Sequence, residues 1–148
     1  MLTVCVTGTD RGLGLALVRG WLEQGASVIA GRYSAEENEE HAALRKIYGG
    51  KLHLVHMNVA SEESVKEAAR SIEGFTDRID VLINNAAILG DITRTIEDEL
   101  DYEDMLRVYN VNALGPLRAN GALLPLVKRS EHKLIMNISS EAGSVGDC

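Results

Sequence analysis

Five short apolar runs rich in β-branched residues, at 2–6, 27–30, 51–57, 80–83 and 133–138, alternate along this chain with stretches of helical spacing. The helical stretches carry Leu13, Leu17 and Trp21, then Ala42, Ala43 and Ile47, then Val65, Ala68, Ala69 and Ile72, with a long one from about 103 to 128. The short runs are nearly continuous in apolar character rather than alternating, as expected of strands covered on both faces by helices. Repeated βα units of this kind predict an α/β fold with a doubly wound, Rossmann-like parallel sheet. No repeat, proline-rich linker or low-complexity tract divides the 148 residues, so a single domain over 1–148 is expected.

Helix starts are legible in places. Ser61 and Ser64, with Glu63 and Glu67 nearby, suit a capped N-terminus, and Glu67 stands three residues after Ser64. The acidic run at 36–40 reads as a solvated helix start. The one across 97–104 would favour the N-terminus of the long helix through its dipole.

A net charge of −7 with no concentration of lysine or arginine argues against nucleic acid and anionic membrane as partners. Cys5 and Cys148 have no metal-ligand spacing, so no disulfide framework or metal site is expected, and a reducing, cytoplasmic compartment fits. The N-terminus lacks a basic signal-peptide region, and no apolar segment is long enough to span a bilayer. His41, His53, His56 and His132 show no ligand or triad spacing and are assigned no catalytic role.

After the first run comes TGTDRGLG, residues 7–14, opening a helix. Glycines here let the turn take positive φ, let backbone approach a pyrophosphate, and let the helix pack close to the sheet. The helix N-terminus then offers free N–H groups and positive partial charge to phosphates. Gly8, Gly12 and Gly14 are therefore the expected phosphate cradle, and Asp10, Arg11 and Leu13 of the same loop are expected at the cofactor site. Gly8, Arg32, Asn58, Asn84 and Ser139 all fall at or just past the carboxyl ends of predicted strands, where open α/β sheets bind ligands.

Three residues separate the first two glycines, and the pattern Thr7, Gly8, Gly12, Gly14 resembles the Thr-Gly-x-x-x-Gly-x-Gly motif of short-chain dehydrogenases/reductases. NNAA at 84–87 is similar to that family's Asn-Asn-Ala-Gly, with Ala87 replacing glycine, and NALG at 112–115 and ISS at 138–140 are similar to its next two motifs. The resemblance spans the chain in the right order. The stretches AGRYS and SSEAGSVGDC are most similar to the carbonyl-reductase-like branch that includes sniffer and C-factor proteins.

The second predicted strand ends in IAGRYS. Gly31 stands where an acidic residue would bind the ribose of NAD, and Arg32 follows it, so a carboxylate that would repel a 2′-phosphate is absent and a guanidinium that could grip one is present. Arg11 adds a second cation. Basic residues at both places are typical of family members that prefer NADP, so NADP(H) is favoured over NAD(H). The resemblance further implies that Asn58, with Val59, lies near the adenine in place of the usual aspartate, and that Asn85, Ala86 and Ala87 line the cofactor site.

Asn112 lies inside the long predicted helix, and Pro116 four residues on has no N–H for its carbonyl. That carbonyl should seek another donor, an ordered water being the natural one. The resemblance carries the family's catalytic asparagine onto Asn112 and its catalytic serine, which hydrogen-bonds the substrate carbonyl, onto Ser140. The family's acid/base tyrosine, four residues before a lysine, has no counterpart here, since Tyr33, Tyr48, Tyr102 and Tyr109 lack that lysine.

The expectation is thus a piece of a longer NADP(H)-dependent oxidoreductase that reduces a carbonyl to an alcohol, its C-terminal strands, helices and Tyr-Lys pair lying beyond these residues. A small-molecule carbonyl or alcohol substrate is implied. So is a homo-oligomer, dimer or tetramer, built through the long helix. The alternative is a short, complete, non-catalytic dinucleotide-binding sensor or partner-binding module.

Overall fold

A computed structural model describes residues 1–147. Five strands, β1 (Thr3–Val6), β2 (Ser27–Arg32), β3 (Leu52–His56), β4 (Val81–Asn84) and β5 (Leu134–Asn137), form one sheet in the order β3-β2-β1-β4-β5. Every pairing is parallel. Helices α1 (Gly12–Glu23), α2 (Glu39–Tyr48), α3 (Glu62–Glu73), α4 (Tyr102–Tyr109) and α5 (Gly115–Lys128) connect them. The sheet grows outward from β1 in both directions, so a topological switch point lies between β1 and β4.

Alternate residues of each central strand feed two separate cores. Val4, Val6, Val28, Ala30, Val81 and Ile83 pack with Leu15, Val18, Leu22 and Leu44 of α1 and α2. Cys5, Ile29 and Leu82 point the other way, onto Val65, Ala68 and Ile72 of α3 and Leu123, Leu126 and Val127 of α5. Burial on both faces explains why these strands read as unbroken apolar runs. β5 is half covered: Ile135 packs on the α3/α5 side, while Leu134 and Met136 remain exposed.

The expected helices α1 and α2 both form, and docking selects the face each buries. α1 buries Gly14, Leu15, Val18 and Leu22, while Leu17 and Trp21 pack partly against the same core and Leu13 is exposed at the carboxyl edge of the sheet. In a helix this apolar all round, several i, i+4 series fit the same period, and only docking selects one. In α2 likewise His41 and Leu44 are buried while Ile47 is exposed.

The long helix is not continuous. Between α4 and α5, Asn110–Leu114 form a turn of π-helix. Pro116, at the start of α5, has no N–H to offer the carbonyl four residues back, and the widened turn absorbs the break in the ladder. Helix starts follow the sequence closely. Asn38, Ser61 and Asp101 cap α2, α3 and α4 by accepting from His41, Ser64 and Asp104 N–H groups. Ser64 sits inside α3 and its Oγ accepts from Asn58 N–H instead.

Candidate active site

A cleft of about 840 Å³ opens at the carboxyl edge of the sheet, over the switch point between β1 and β4. One wall is the glycine loop, Gly8, Asp10, Arg11, Gly12, Leu13 and Gly14. The facing walls are Met57 to Ala60 after β3 and Asn85 to Ile88 after β4, with Tyr33, Arg107 and Val111 at the rim. Eleven of the fourteen residues expected at the site from sequence line this one cleft, and Arg32, Asn112 and Ser140 do not.

Close approach dictates the glycine loop. A Cβ on Gly14 would lie 2.1 Å from Gly8 O and 2.5 Å from Asn85 Nδ2, so no side chain fits. Gly12 differs: its φ of +58° disfavours other residues, yet a Cβ there meets nothing within 4 Å. The space beside it is the hollow of the cradle. Arg11 precedes α1 with extended backbone, no side chain caps the first N–H groups, and no acidic residue occupies the first turn. Those donors and the helix dipole therefore face the cleft with nothing to neutralise them.

The loop is stitched to its neighbours. Thr7 Oγ1 accepts from the N–H groups of Asn85 (3.1 Å) and Ala86 (3.0 Å), and Asn85 Nδ2 donates to Thr7 O and Gly8 O, both at 3.1 Å. Asn85 thus braces the cradle from behind. Asp10 turns toward β2, its carboxylate accepting from Tyr33 N–H (2.7 Å) and Ser34 N–H (3.0 Å). It lines the cleft and also holds the turn that carries Arg32.

Arg32 ends β2, folded over its own turn. Its Nη1 donates to Ser34 O, and its Nε is buried without a partner. Asn58 uses Oδ1 on Ala60 N–H at 3.0 Å, which leaves Nδ2 as the group it can offer a ligand. Arg118 of α5 reinforces that loop, donating to Val59 O at 2.9 Å and Asn110 O at 3.0 Å.

Asn112, on the π-turn, is occupied differently from the sequence expectation, which concerned its carbonyl alone. Its side chain grips Ile88, donating Nδ2 to Ile88 O at 2.8 Å and accepting Ile88 N–H at 2.9 Å. Ser140 is exposed beyond β5, its Oγ accepting from Ala142 N–H at 3.1 Å. An accepting hydroxyl keeps its proton for donation.

Arg107 and Tyr33 were not singled out in the sequence. Arg107 pairs with Asp104 at 2.6 Å and still borders the cleft. An arginine three residues after an aspartate reads as a surface helix pair, so nothing local marked it. Tyr33 could have been noticed as the aromatic following Arg32 at a strand end. His41 and His56 are structural in position: His41 is fully buried against Thr9, and His56 bonds Tyr33 O at 3.1 Å. Among the described residues no cluster of His, Cys, Asp or Glu could hold a metal ion, and no helix is long and apolar enough to cross a membrane.

The family model of the short chain dehydrogenases matches residues 2–147. The chain belongs to that family. A 3-oxoacyl-[acyl-carrier-protein] reductase FabG of Aquifex aeolicus is 35% identical over 144 residues, covering 96% of this chain and 56% of that protein. A cyclopentanol dehydrogenase of Comamonas sp. is 32% identical over 147 residues, covering 97% of this chain and 56% of that protein. Among solved structures, a carbonyl reductase from Pseudomonas aeruginosa PAO1 superposes with a TM-score of 0.87 at 28% identity, over 99% of this chain and 62% of that one. An NADPH-bound carbonyl reductase from chicken fatty liver gives 0.84 at 32% identity, over 98% and 59%. The short-chain dehydrogenase described by residues 1–148 thus spans little more than half the length of these relatives.

Proposed function

We propose that residues 1–148 are the dinucleotide-binding domain of a cytoplasmic, NADP(H)-dependent reductase that converts a small carbonyl compound to an alcohol. The observation that carries this reading is the open hollow beside Gly12, faced by the uncapped N-terminus of α1 and backed by the Gly8–Gly14 contact. It has the shape and polarity of a pyrophosphate cradle. The carbonyl-reductase relatives named above, one of them with NADPH bound, supply the chemical class.

In this reading the N–H groups of Gly12, Leu13 and Gly14 hold the pyrophosphate, and Asn58 Nδ2 donates to the adenine ring, with Val59 beside it. Ala86 and Ala87 form the wall along the ribose and nicotinamide. Arg11, lining the cleft, and Arg32, at the end of β2, are the cations for a 2′-phosphate. When bound, the nicotinamide supplies hydride. Ser140 donates its proton as a hydrogen bond to the carbonyl oxygen, stabilising the charge that develops there. Asn112 keeps its carbonyl for an ordered water, because its side chain is committed to Ile88. A tyrosine and lysine outside residues 1–148 transfer the proton, and further residues cover the exposed face of β5.

A homo-oligomer is part of the same proposal. α4 buries none of its residues, and Tyr102, Met105, Leu106 and Tyr109 form an apolar stripe on its outer side, with Leu117 of α5 also exposed. A stripe of that spacing suits a helix–helix interface.

The test is NADPH oxidation by the full-length protein over a panel of aldehydes and ketones. Turnover that falls by at least about a hundredfold in Ser140→Ala is expected. Tight NADPH binding without turnover on any carbonyl would contradict the enzymatic reading.

A further inference from the structure

His41 is the one histidine with no exposed surface, and it lies under the cofactor cradle rather than in it. Its Nε2 is 3.0 Å from Thr9 O and 3.3 Å from Thr9 Oγ1. Thr9 is also fully buried, and its hydroxyl proton is used on Gly31 O at 3.1 Å. Both atoms facing Nε2 are therefore acceptors, which assigns the imidazole proton to Nε2. Nδ1 is left as a buried lone pair without a partner. An uncompensated buried polar atom is destabilising, so the ring is held there by what Nε2 does.

What Nε2 does is tie α2 to the glycine loop at Thr9, and Thr9 in turn joins that loop to the end of β2. Thr9 lies inside the glycine loop, between Gly8 and Asp10, and Gly31 directly precedes Arg32. Thr9 N–H also donates to Gly31 O, at 3.0 Å. Around this link, Asn38 Nδ2 donates to Asp10 O at 2.8 Å while its Oδ1 accepts from His41 N–H at 2.8 Å. The Asp10 carboxylate then holds the backbone of Tyr33 and Ser34. The phosphate cradle and the Arg32 turn thereby form one hydrogen-bonded body, with His41 at its base.

We propose that His41 is a positioning residue that sets the preference for a 2′-phosphorylated dinucleotide, by fixing the spacing between the glycine loop and the Arg32 turn. The proposal rests on the cleft being a nicotinamide-dinucleotide site. A cofactor carrying the 2′-phosphate sets a charge against the Arg32 turn while its pyrophosphate sits in the cradle, and so needs that spacing more than one without the 2′-phosphate does. His41 touches no part of the cofactor itself.

The experiment is equilibrium titration of the full-length protein with NADPH and with NADH, following nucleotide fluorescence, for wild type, His41→Leu and His41→Gln. In His41→Leu, NADPH affinity should fall by about three- to tenfold with a smaller change for NADH, as loss of one positioning hydrogen bond implies. His41→Gln, whose amide can still donate toward Thr9, should recover most of the NADPH-to-NADH ratio. If His41→Leu does not fold, Asn38→Ala, which cuts the parallel tie to Asp10, is read in its place and must lower the same ratio. A ratio unchanged in the variants, with wild type preferring NADPH, overturns the role of His41 and leaves the cofactor reading standing. Wild type that binds neither nucleotide overturns both, and wild type that binds both equally overturns the 2′-phosphate preference and the role of His41 while leaving the dinucleotide site standing.

Discussion

Asn112 holds both backbone polar groups of Ile88, accepting its N–H at 2.9 Å and donating to its carbonyl at 2.8 Å. The π-turn of the long helix is thus pinned to the segment that leaves β4 and lines the cleft. Asn112→Asp keeps the acceptor but sets a carboxylate oxygen against Ile88 O, so it should be no milder than Asn112→Ala. Both should lower stability by about 1–3 kcal/mol. Hydrogen exchange at the Ile88 amide, together with thermal melting, checks this. An Asn112→Ala protein with wild-type protection at Ile88 would show that the pairing does not form.

The glycine loop gives a sharper contrast. Gly14→Ala forces a methyl to within 2.1 Å of Gly8 O, so the loop must shift, at a stability loss of about 1–3 kcal/mol or more. Gly12→Ala meets no atom within 4 Å and loses only about 1–2 kcal/mol from its left-handed backbone. That methyl nevertheless stands in the hollow proposed for the pyrophosphate. The expected result is a folded Gly12→Ala protein with nucleotide affinity reduced at least about tenfold. Normal affinity in that variant would move the phosphate elsewhere.

Much of this was legible in the sequence. Five apolar runs gave the strands to within about two residues, since strands buried on both faces have no polar positions to obscure them. The glycine spacing likewise located the tight loop between β1 and α1, because close backbone approach admits no other residue at Gly14. Tertiary choices were less visible. Nothing local distinguishes the Leu15, Val18 and Leu22 stripe of α1 from the Leu13, Leu17 and Trp21 one. The π-turn was foreshadowed by Pro116, but its clamp on Ile88, 24 residues away, is a matter of docking. His41 looked like any helix histidine until α2 placed it against Thr9.

At the opposite edge of the sheet, Asp80 is nearly buried, and burial by itself would disfavour its ionised form. Thr3 N–H at 2.7 Å, Arg78 and His132 together outweigh that and hold its carboxyl below the ordinary value. A group whose folded pKa is depressed adds stability above its unfolded pKa, and that stability is lost as pH falls through the folded value. Asp80→Asn should therefore lower stability near neutral pH by about 1–3 kcal/mol and flatten the loss of stability below pH about 4. Denaturant titrations at several acidic pH values check the sign. An acid limb as steep as wild type would place the titrating carboxylate elsewhere.

Cys5 lies in the central strand with no exposed surface, and burial pushes its thiol up to about 12. It should resist alkylation at pH 8 in the native state and react once the sheet opens. Mass analysis of the Cys5 peptide across a denaturant series should show labelling that tracks global unfolding. Labelling under native conditions would indicate local opening of β1.

The outer stripe of α4 and α5 is testable by charge. Leu106→Glu with Leu117→Glu alters two exposed positions and should leave the fold intact while shifting the full-length protein to a smaller species. Sedimentation velocity gives the answer, and an unchanged sedimentation coefficient would place any interface elsewhere.

The proposed function requires a dinucleotide in the cleft between the glycine loop and the strand ends of β3 and β4. The most direct measurement is a fluorescence titration of the full-length protein with NADPH and NADH, with Gly12→Ala as the control. Saturable NADPH binding, tighter than NADH by about tenfold or more and weakened at least about tenfold by Gly12→Ala, is the expected result. Absence of binding by the folded wild-type protein, or binding untouched by Gly12→Ala, would contradict it.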